Sequence, residues 1–409
     1  MEIPHTPALE SLQTRIRTAV ATRTPLRIRG GGSKDFYGQT SQGELLDTSA
    51  YAPALAGVVS YEPSELVVTV RAGAPLAALE AQLAEQGQYL PFEPPHYRWN
   101  WASTGLASPD PRADSTATVG GMVAAGLSGP ARASAGSVRD HVLGVTLLNG
   151  RAELLRFGGQ VIKNVAGYDV SRVMVGALGT LGLLVDVSLK VLPVPPSDAT
   201  LVFEMNQVDA LAHLHRWGAQ PLPLNSSCWV KDDAQGGREL LFLRLRGAVA
   251  AVEAACYRLR RDAPPGAKPV RMDNVQAVSD WALCRDHLLP FFTAPPAPGL
   301  ALWRLSVAQT APALDLPWPQ FIEWHGAQRW LWAPLSAASN VRAAATYAKG
   351  HATIFVVTGQ PNETAPALND VKVEVFSTLA SPLDRIHRQL KAEFDPAGIF
   401  NRGRLYGSF

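Results

Sequence analysis

The sequence predicts an α+β protein: a first domain over residues 1–196, an α/β second domain over 197–375, and a helix and tail over 376–409 that return to the first. Three observations predict it. Three glycine-rich segments, 29–34, 118–136 and 163–182, each sit beside a β-prone run. From about residue 199 the pattern becomes β-α-β-β-α, and a similar order returns near residue 301. The chain then closes on an amphipathic stretch ended by Asp395-Pro396.

A chain of 409 residues is too long for one compact core, which supports the division into domains. Lys and Arg number 37 against 35 Asp and Glu, so no broad positive field selects nucleic acid or an anionic membrane. The start, MEIPHTPALESL, has no basic region, apolar core or cleavage site, so no secretory signal is expected. The least charged stretch, Ser115 to Ala131, is broken by glycines, so no transmembrane segment is expected either. Cys228, Cys256 and Cys284 are odd in number and lack CxxC, which argues for reduced core thiols and against a zinc ribbon or iron–sulfur cluster.

Taken in order, RIRGGGSKDFYG (27–38) places Gly30, Gly31 and Gly32 behind a short strand, where the main chain needs positive φ or close contact with another group. Leu66 to Val70 predict a strand, and Pro75 opens a helix with Leu76, Leu79 and Leu83 on one face and Gly87 as its stop. Asn149-Gly150 between two β-like runs predicts a hairpin at 142–157 in which both central residues take positive φ. A short helix near Val170 to Val175, a turn at Gly179 and a strand from Leu183 complete the first domain, which Pro193 and Pro195 end.

In the second domain, ATLVFEM, VDALAHLHRWG, SSCWVK, RELLFLRLRG and AVAAVEAACYRLRRD give the β-α-β-β-α order. ALWRLSVAQ, QFIEWHG, QRWLWAPL, NVRAAATYAKG and HATIFVV return to it, a weak duplication of split βαβ units. At the end, Ser381, Pro382 and Asp384 predict a helix cap, and Leu383, Ile386, Leu390 and Phe394 a buried stripe.

Three glycine-rich loops that bring their N–H groups together suit an extended anionic ligand. RGGGSK, TVGGMVAAGLSGP with GSVRDHVLGV, NVAGYDVSRVMVGALGTLG and FDPAGIFNRGRL together resemble the FAD-binding domain of the vanillyl-alcohol oxidase superfamily, the p-cresol methylhydroxylase (PCMH) type. The resemblance implies a two-subdomain FAD-binding domain followed by a cap domain with ferredoxin-like split βαβ units. A Rossmann G-x-G-x-x-G fingerprint is not present. By this resemblance Arg29, Gly30, Gly31, Gly32, Ser33 and Lys34 hold the FAD pyrophosphate. Thr118, Val119, Gly120, Gly121, Met122, Ser128, Gly129 and Gly136 line the ribityl and flavin portions. Gly179, Thr180, Gly182 and Leu183 wrap the adenine end, and Asn401 returns over the isoalloxazine. Ser33 stands where some members attach FAD through histidine, and no cysteine precedes Cys228, so a non-covalent FAD is implied.

Within the superfamily, KNVAGYD, GALGTLG and WHGAQRW resemble the FAD-binding subunit of bacterial glycolate oxidases (glycolate dehydrogenases). That implies oxidation of a small 2-hydroxy acid, with a second flavin subunit and an iron–sulfur subunit as partners. It also implies a cytoplasmic chain, associated with membrane only through those partners. Two departures bear on catalysis. Gly176-Ala177-Leu178-Gly179 lacks the acidic residue of the GSEGTLG found in catalytic relatives, and their GDGN and HGxG metal motif is missing. No metal is therefore expected, and the catalytic base stays unassigned among the candidates His325, Arg98 and Tyr97. His213 and His215 lie two apart on an expected helix and so do not share a face. A self-sufficient 2-hydroxy acid or sugar-acid dehydrogenase, and a non-catalytic flavin-containing assembly subunit, remain alternatives.

Overall fold

The computed structural model describes residues 6–52, 54–97, 115–159, 169–232, 236–358 and 373–407. The chain opens with α1 (Pro7–Thr22), capped by the Thr6 hydroxyl, and a parallel ribbon of β1 (Leu26–Arg29) and β2 (Glu44–Asp47). An antiparallel sheet then runs in the order β3-β4-β8-β6-β7. Its strands are β3 (Val58–Glu62), β4 (Val67–Arg71), β6 (Val142–Leu148), β7 (Leu154–Gly158) and β8 (Leu183–Lys190), with short β5 (Gln88–Tyr89) and β9 (Leu192–Pro193) paired outside it. Strand β8 is central, and its alternate residues Leu183, Val185, Val187 and Leu189 are buried. α2 (Leu76–Glu85) and α3 (Val119–Ala125) pack on one face, with Leu76, Leu79, Leu83, Val119 and Met122 in its core. α1 covers a second core formed with Leu148, Leu183 and Val185. Short α4 (Arg132–Ala135) and α5 (Val138–His141) lead into β6.

The hairpin at β6–β7 forms, but its turn differs from expectation. Neither Asn149 nor Gly150 has positive φ; the left-handed residue is Ala152 at 59°. The loop spans five residues because the Asn149 Oδ1 accepts from the Arg151 and Glu153 N–H groups, so a side chain shapes the turn.

The second half builds one eight-stranded sheet, β13-β10-β12-β11-β15-β16-β14-β17. Four strands come from β10 (Ser197–Glu204), β11 (Leu224–Asp232), β12 (Arg238–Gly247) and β13 (Val270–Arg271), with helices α6 (Gln207–Gly218) and α7 (Val249–Asp262). Four more are β14 (Ala301–Ser306), β15 (Gln320–Glu323), β16 (Gln328–Ala333) and β17 (His351–Val357). Numbered within its own half, each set is ordered 4-1-3-2, and the two meet edge to edge where Cys228 of β11 opposes Glu323 of β15. The second set departs from the first in that no helix separates β14 from β15; α10 (Ala338–Tyr347) precedes β17 as α7 precedes β13. α6, α7 and α10 cover one face of the sheet. The other face meets α8 (Asn274–Arg285), α9 (Pro290–Thr293) and the first half of the chain through Phe36, Tyr37, Tyr97 and Leu127.

The last helix, α11 (Ser381–Phe394), corrects two expectations. Its N-cap is Ala380, which offers no side-chain cap, and Leu383 and Ile386 are 50% and 45% exposed and belong to no core cluster of the described residues. Leu390 and Phe394 do pack on the first core, and Lys391 is the buried residue of the helix.

Candidate functional site

One cavity collects residues from widely separated parts of the chain. Arg29 to Lys34, Thr118, Gly120, Gly121, Gly179, Gly182, Leu183 and Asn401 line it, joined by Arg27, Ala177, Leu178 and Arg404. Val119 and Met122 are instead in the core under it, and Thr180 is buried with its hydroxyl on the Ala177 carbonyl. Ser128, Gly129 and Gly136 are not among the lining residues. Ser128 accepts from the Val138 N–H, Gly129 lies where a Cβ would meet the Glu93 carbonyl at 2.2 Å, and Gly136 turns the chain at φ 91°.

The glycine run is dictated partly by its neighbour. A Cβ on Gly31 would lie 1.5 Å from the Thr116 carbonyl oxygen, and one on Gly30 would lie 2.7 Å from the Thr118 hydroxyl. Gly32 needs its freedom for a φ of 75°. With that side packed, the N–H groups from Gly30 to Lys34 find no acceptor among the described residues. A row of unanswered backbone donors on a cavity wall is a site for anionic oxygens.

The side chains agree in sign. Four cations, Arg27, Arg29, Lys34 and Arg404, line the cavity against one carboxylate, Asp35, which takes Arg29 at 2.7 Å. Arg404 is committed to the carbonyls of Lys34, Asp35 and Gln39 and so fixes the loop. Lys34 has no carboxylate within ion-pair distance among the described residues; its ammonium lies 5.6 Å from the Tyr97 ring centroid. Burial lowers it to about 8, with Asp286 opposing. The donor set therefore fits the diphosphate of a dinucleotide such as FAD.

Asn401 stands on the opposite wall. Its Oδ1 accepts from the Ile28 N–H at 2.6 Å and its Nδ2 donates to the Leu178 carbonyl at 2.6 Å, which ties the glycine loop's strand to the 178–182 loop.

The catalytic candidates separate. Arg98 lies outside the described residues, as do 163–168 of the third glycine segment. His325 is not on this cavity. It lies in the β15–β16 turn, where Trp324, His325 and Gly326 all have positive φ, and it sits between the hydroxyls of Ser134 at 3.0 Å and Ser227 at 3.1 Å. Burial lowers it to about 4, so it serves as a neutral bridge between the two halves. Tyr97 is buried beside Lys34, its hydroxyl 3.1 Å from His287 Nδ1. Burial pushes Tyr97 up and brings His287 down to about 3. His213 and His215 bond to the carbonyls of Asp209 and Gln309.

Arg304, in the middle of β14, was not anticipated. It projects from the sheet toward the first half, with Nη2 donating to the Tyr37 hydroxyl at 3.1 Å. Its Nε is buried without a partner, and no carboxylate pairs with it among the described residues. The available signal was an arginine inside ALWRLS, flanked on both sides by large apolar residues, Trp303 and Leu305.

Comparison with known proteins gives the class first. Residues 7–100 and 97–158 match the FAD binding domain family. The fold is shared with 4-ethylphenol oxidase from Gulosibacter chungangensis, at a TM-score of 0.62 and 16% identity over 97% of this chain and 87% of that one. It is shared likewise with alkyldihydroxyacetonephosphate synthase, at a TM-score of 0.62 and 14% identity over 97% and 76%. The fold and cavity thus define an FAD-dependent oxidoreductase of the PCMH type, with FAD as its cofactor. Among curated proteins, glycolate oxidase subunit GlcE of Escherichia coli is 39% identical over 397 residues, 97% of each chain. D-2-hydroxyglutarate dehydrogenase of Xanthomonas citri is 27% identical over 206 residues, 50% of this chain and 39% of that one. The chain belongs to the family of the glycolate oxidase subunit GlcE.

Proposed function

We propose that the chain is the FAD-binding subunit of a glycolate oxidase (glycolate dehydrogenase) complex, in which glycolate becomes glyoxylate and electrons pass to an iron–sulfur partner subunit. The observation that carries this reading is the end-to-end likeness to GlcE. That relative is named as a subunit of a glycolate oxidase, which supports the presence of partner subunits, of which a second flavin subunit is one in this reading. In this reading residues 1–196 form the flavin domain, 197–375 the cap, and 376–409 the returning segment. FAD is held non-covalently, by the free N–H groups of Gly30 to Lys34 and the neighbouring cations. The protein is cytoplasmic and meets the membrane only through its partners. No helix among the described residues is long and apolar enough to cross one.

Bound FAD supplies a two-electron acceptor for the hydride from C2 of the hydroxy acid. The chain's own part is orientation and charge. In this reading Arg304, which has no carboxylate partner among the described residues, takes the carboxylate of the substrate through charge-assisted hydrogen bonds, with Tyr37 accepting from its Nη2. Phe36 packs on Tyr97 and on Phe355 of β17 with ring centroids 5.2 and 5.3 Å apart, which joins this face of the sheet to the first half.

A second reading, a subunit whose FAD does not meet substrate directly, is favoured by one observation. Ala177 and Leu178 line the cavity where catalytic relatives carry an acidic residue. Anaerobic addition of glycolate, with flavin absorbance followed, decides between them. Bleaching of the FAD-loaded chain alone supports direct oxidation; bleaching only after the partner subunits are added supports the second reading. No bleaching by glycolate in the assembled complex would sink the proposal.

A further inference from the structure

The C-terminal segment is bound into the cofactor cavity by a lysine that sequence reading left in an amphipathic helix. Lys391 is 6% exposed, and its ammonium has three hydrogens with three acceptors. They are the Thr180 carbonyl at 2.7 Å, the Asp395 carboxylate at 2.6 Å and the Phe400 carbonyl at 2.8 Å. Each acceptor belongs to a different part of one structure. Thr180 lies in the loop that walls the cavity, and Asp395 closes α11. Phe400 precedes Asn401.

Asp395 carries the arrangement onward. Its carboxylate accepts from the N–H groups of Ile399 at 3.1 Å and Phe400 at 2.8 Å, which folds 395–400 into a fixed turn. The turn then lies along β1: Leu26 donates to the Ile399 carbonyl at 2.6 Å, and Asn401 donates its N–H to the Leu26 carbonyl at 2.9 Å. Only with the backbone held there does the Asn401 side chain reach both Ile28 and Leu178. Its φ of 41° is left-handed, which asparagine tolerates better than most residues with a side chain, and the surrounding bonds hold it there. The Lys391 ammonium is thus one cation joining the 178–182 loop to the strand that carries the glycine run.

We propose that Lys391 is a positioning residue of the cofactor cavity: through Asp395 and the Phe400 carbonyl it sets Asn401, and Asn401 sets the spacing of the two loops that enclose FAD. A buried ammonium is costly to desolvate and is retained where its removal would leave several acceptors unanswered. Here the acceptors are spread over the two walls of the cavity and the segment that bridges them. Loss of Lys391 therefore falls on cofactor affinity as well as on stability, since it also leaves the buried Asp395 carboxylate without its cation. This inference rests on the cavity's being the FAD site.

The test measures FAD dissociation constant and apo-protein melting temperature separately, in wild type, Lys391→Met, Asn401→Ala and a control, Leu214→Ala, in the α6 core remote from the cavity. K391M is expected to raise the FAD dissociation constant at least tenfold and to alter the visible circular dichroism of whatever flavin remains. L214A is expected to lower the melting temperature while leaving FAD affinity within twofold of wild type. A folded K391M with wild-type FAD affinity overturns the proposal. Should K391M not fold, N401A decides, since it removes the bridge while leaving Lys391 satisfied. Tenfold weaker FAD binding by N401A supports the proposal and unchanged binding overturns it. Failure of wild type itself to bind FAD would instead sink the cofactor assignment.

Discussion

Both carboxylate oxygens of Glu93, at 2.6 and 2.7 Å, accept from Nη2 of Arg244, so a residue that follows β5 in the first half is locked to β12 of the eight-stranded sheet. Arg246 approaches the same carboxylate at 3.2 Å and also holds Asp198 at 2.6 Å. Burial works to raise the Glu93 carboxyl, but the two guanidinium groups prevail and hold it below the usual range.

Breaking this pair strands Arg244, whose side chain is 4% exposed. Glu93→Ala is expected to destabilise the protein by about 3–5 kcal/mol in urea unfolding. Glu44→Gln, which removes the exposed partner of Arg15 at 3.7 Å, should change it by less than about 0.5 kcal/mol. Equal effects of the two would refute the assignment of Glu93 as an anchor between the two halves of the chain.

Gly31→Ala places a methyl group on the Thr116 carbonyl oxygen. The loop must move, so a loss of FAD at purification is expected with about 2 kcal/mol or more of destabilisation. Gly31 does not need positive φ, and the effect therefore tests close approach alone. Full FAD content in G31A would contradict it.

Arg304→Gln removes the guanidinium that has no carboxylate of its own. With loss of charge-assisted hydrogen bonds of about 1.5–3 kcal/mol, the KM for glycolate should rise roughly 10- to 100-fold. FAD content should not change. A variant with unaltered KM would exclude Arg304 as the carboxylate anchor.

The buried histidines set an acid limit. His325 and His287 fall from 6.5 to about 4 and about 3 because burial disfavours their charged forms. Between pH 6.5 and those values the unfolded chain binds the extra proton, so stability is complete above about 6.5 and falls as pH is lowered, by up to about 1.4 kcal/mol per unit for each. His325→Asn keeps a side chain tolerant of φ near 54° and removes one titration. Its stability relative to wild type should improve steadily from pH 6.5 to 4, as followed by thermal melts. A difference independent of pH would show that His325 is not held neutral.

Most of the fold was legible because its signals are local. Leu76, Leu79 and Leu83 mark α2 within ten residues, and the break near 199 separates two sheets by their patterns alone. The glycine run was legible as a place where backbone must be bare, though not that Thr116 is the group pressed on Gly31. Where the reading erred, a tertiary or side-chain effect prevailed. Asn149 turned its own hairpin through its amide, and Leu383 and Ile386 had the helical period of a buried stripe but no surface opposite them.

By itself, then, the sequence determined the order of elements, the presence of an anion-binding glycine wall and the resemblance to FAD-binding subunits, because periodicity and loop chemistry act over a few residues. Tertiary structure alone decided that Arg244 answers Glu93, that Arg304 answers no carboxylate among the described residues, and that Lys391 and Asn401 join loops some two hundred and more residues away. Such pairings depend on which side chains exclude water together across distant strands, and no local spacing encodes that.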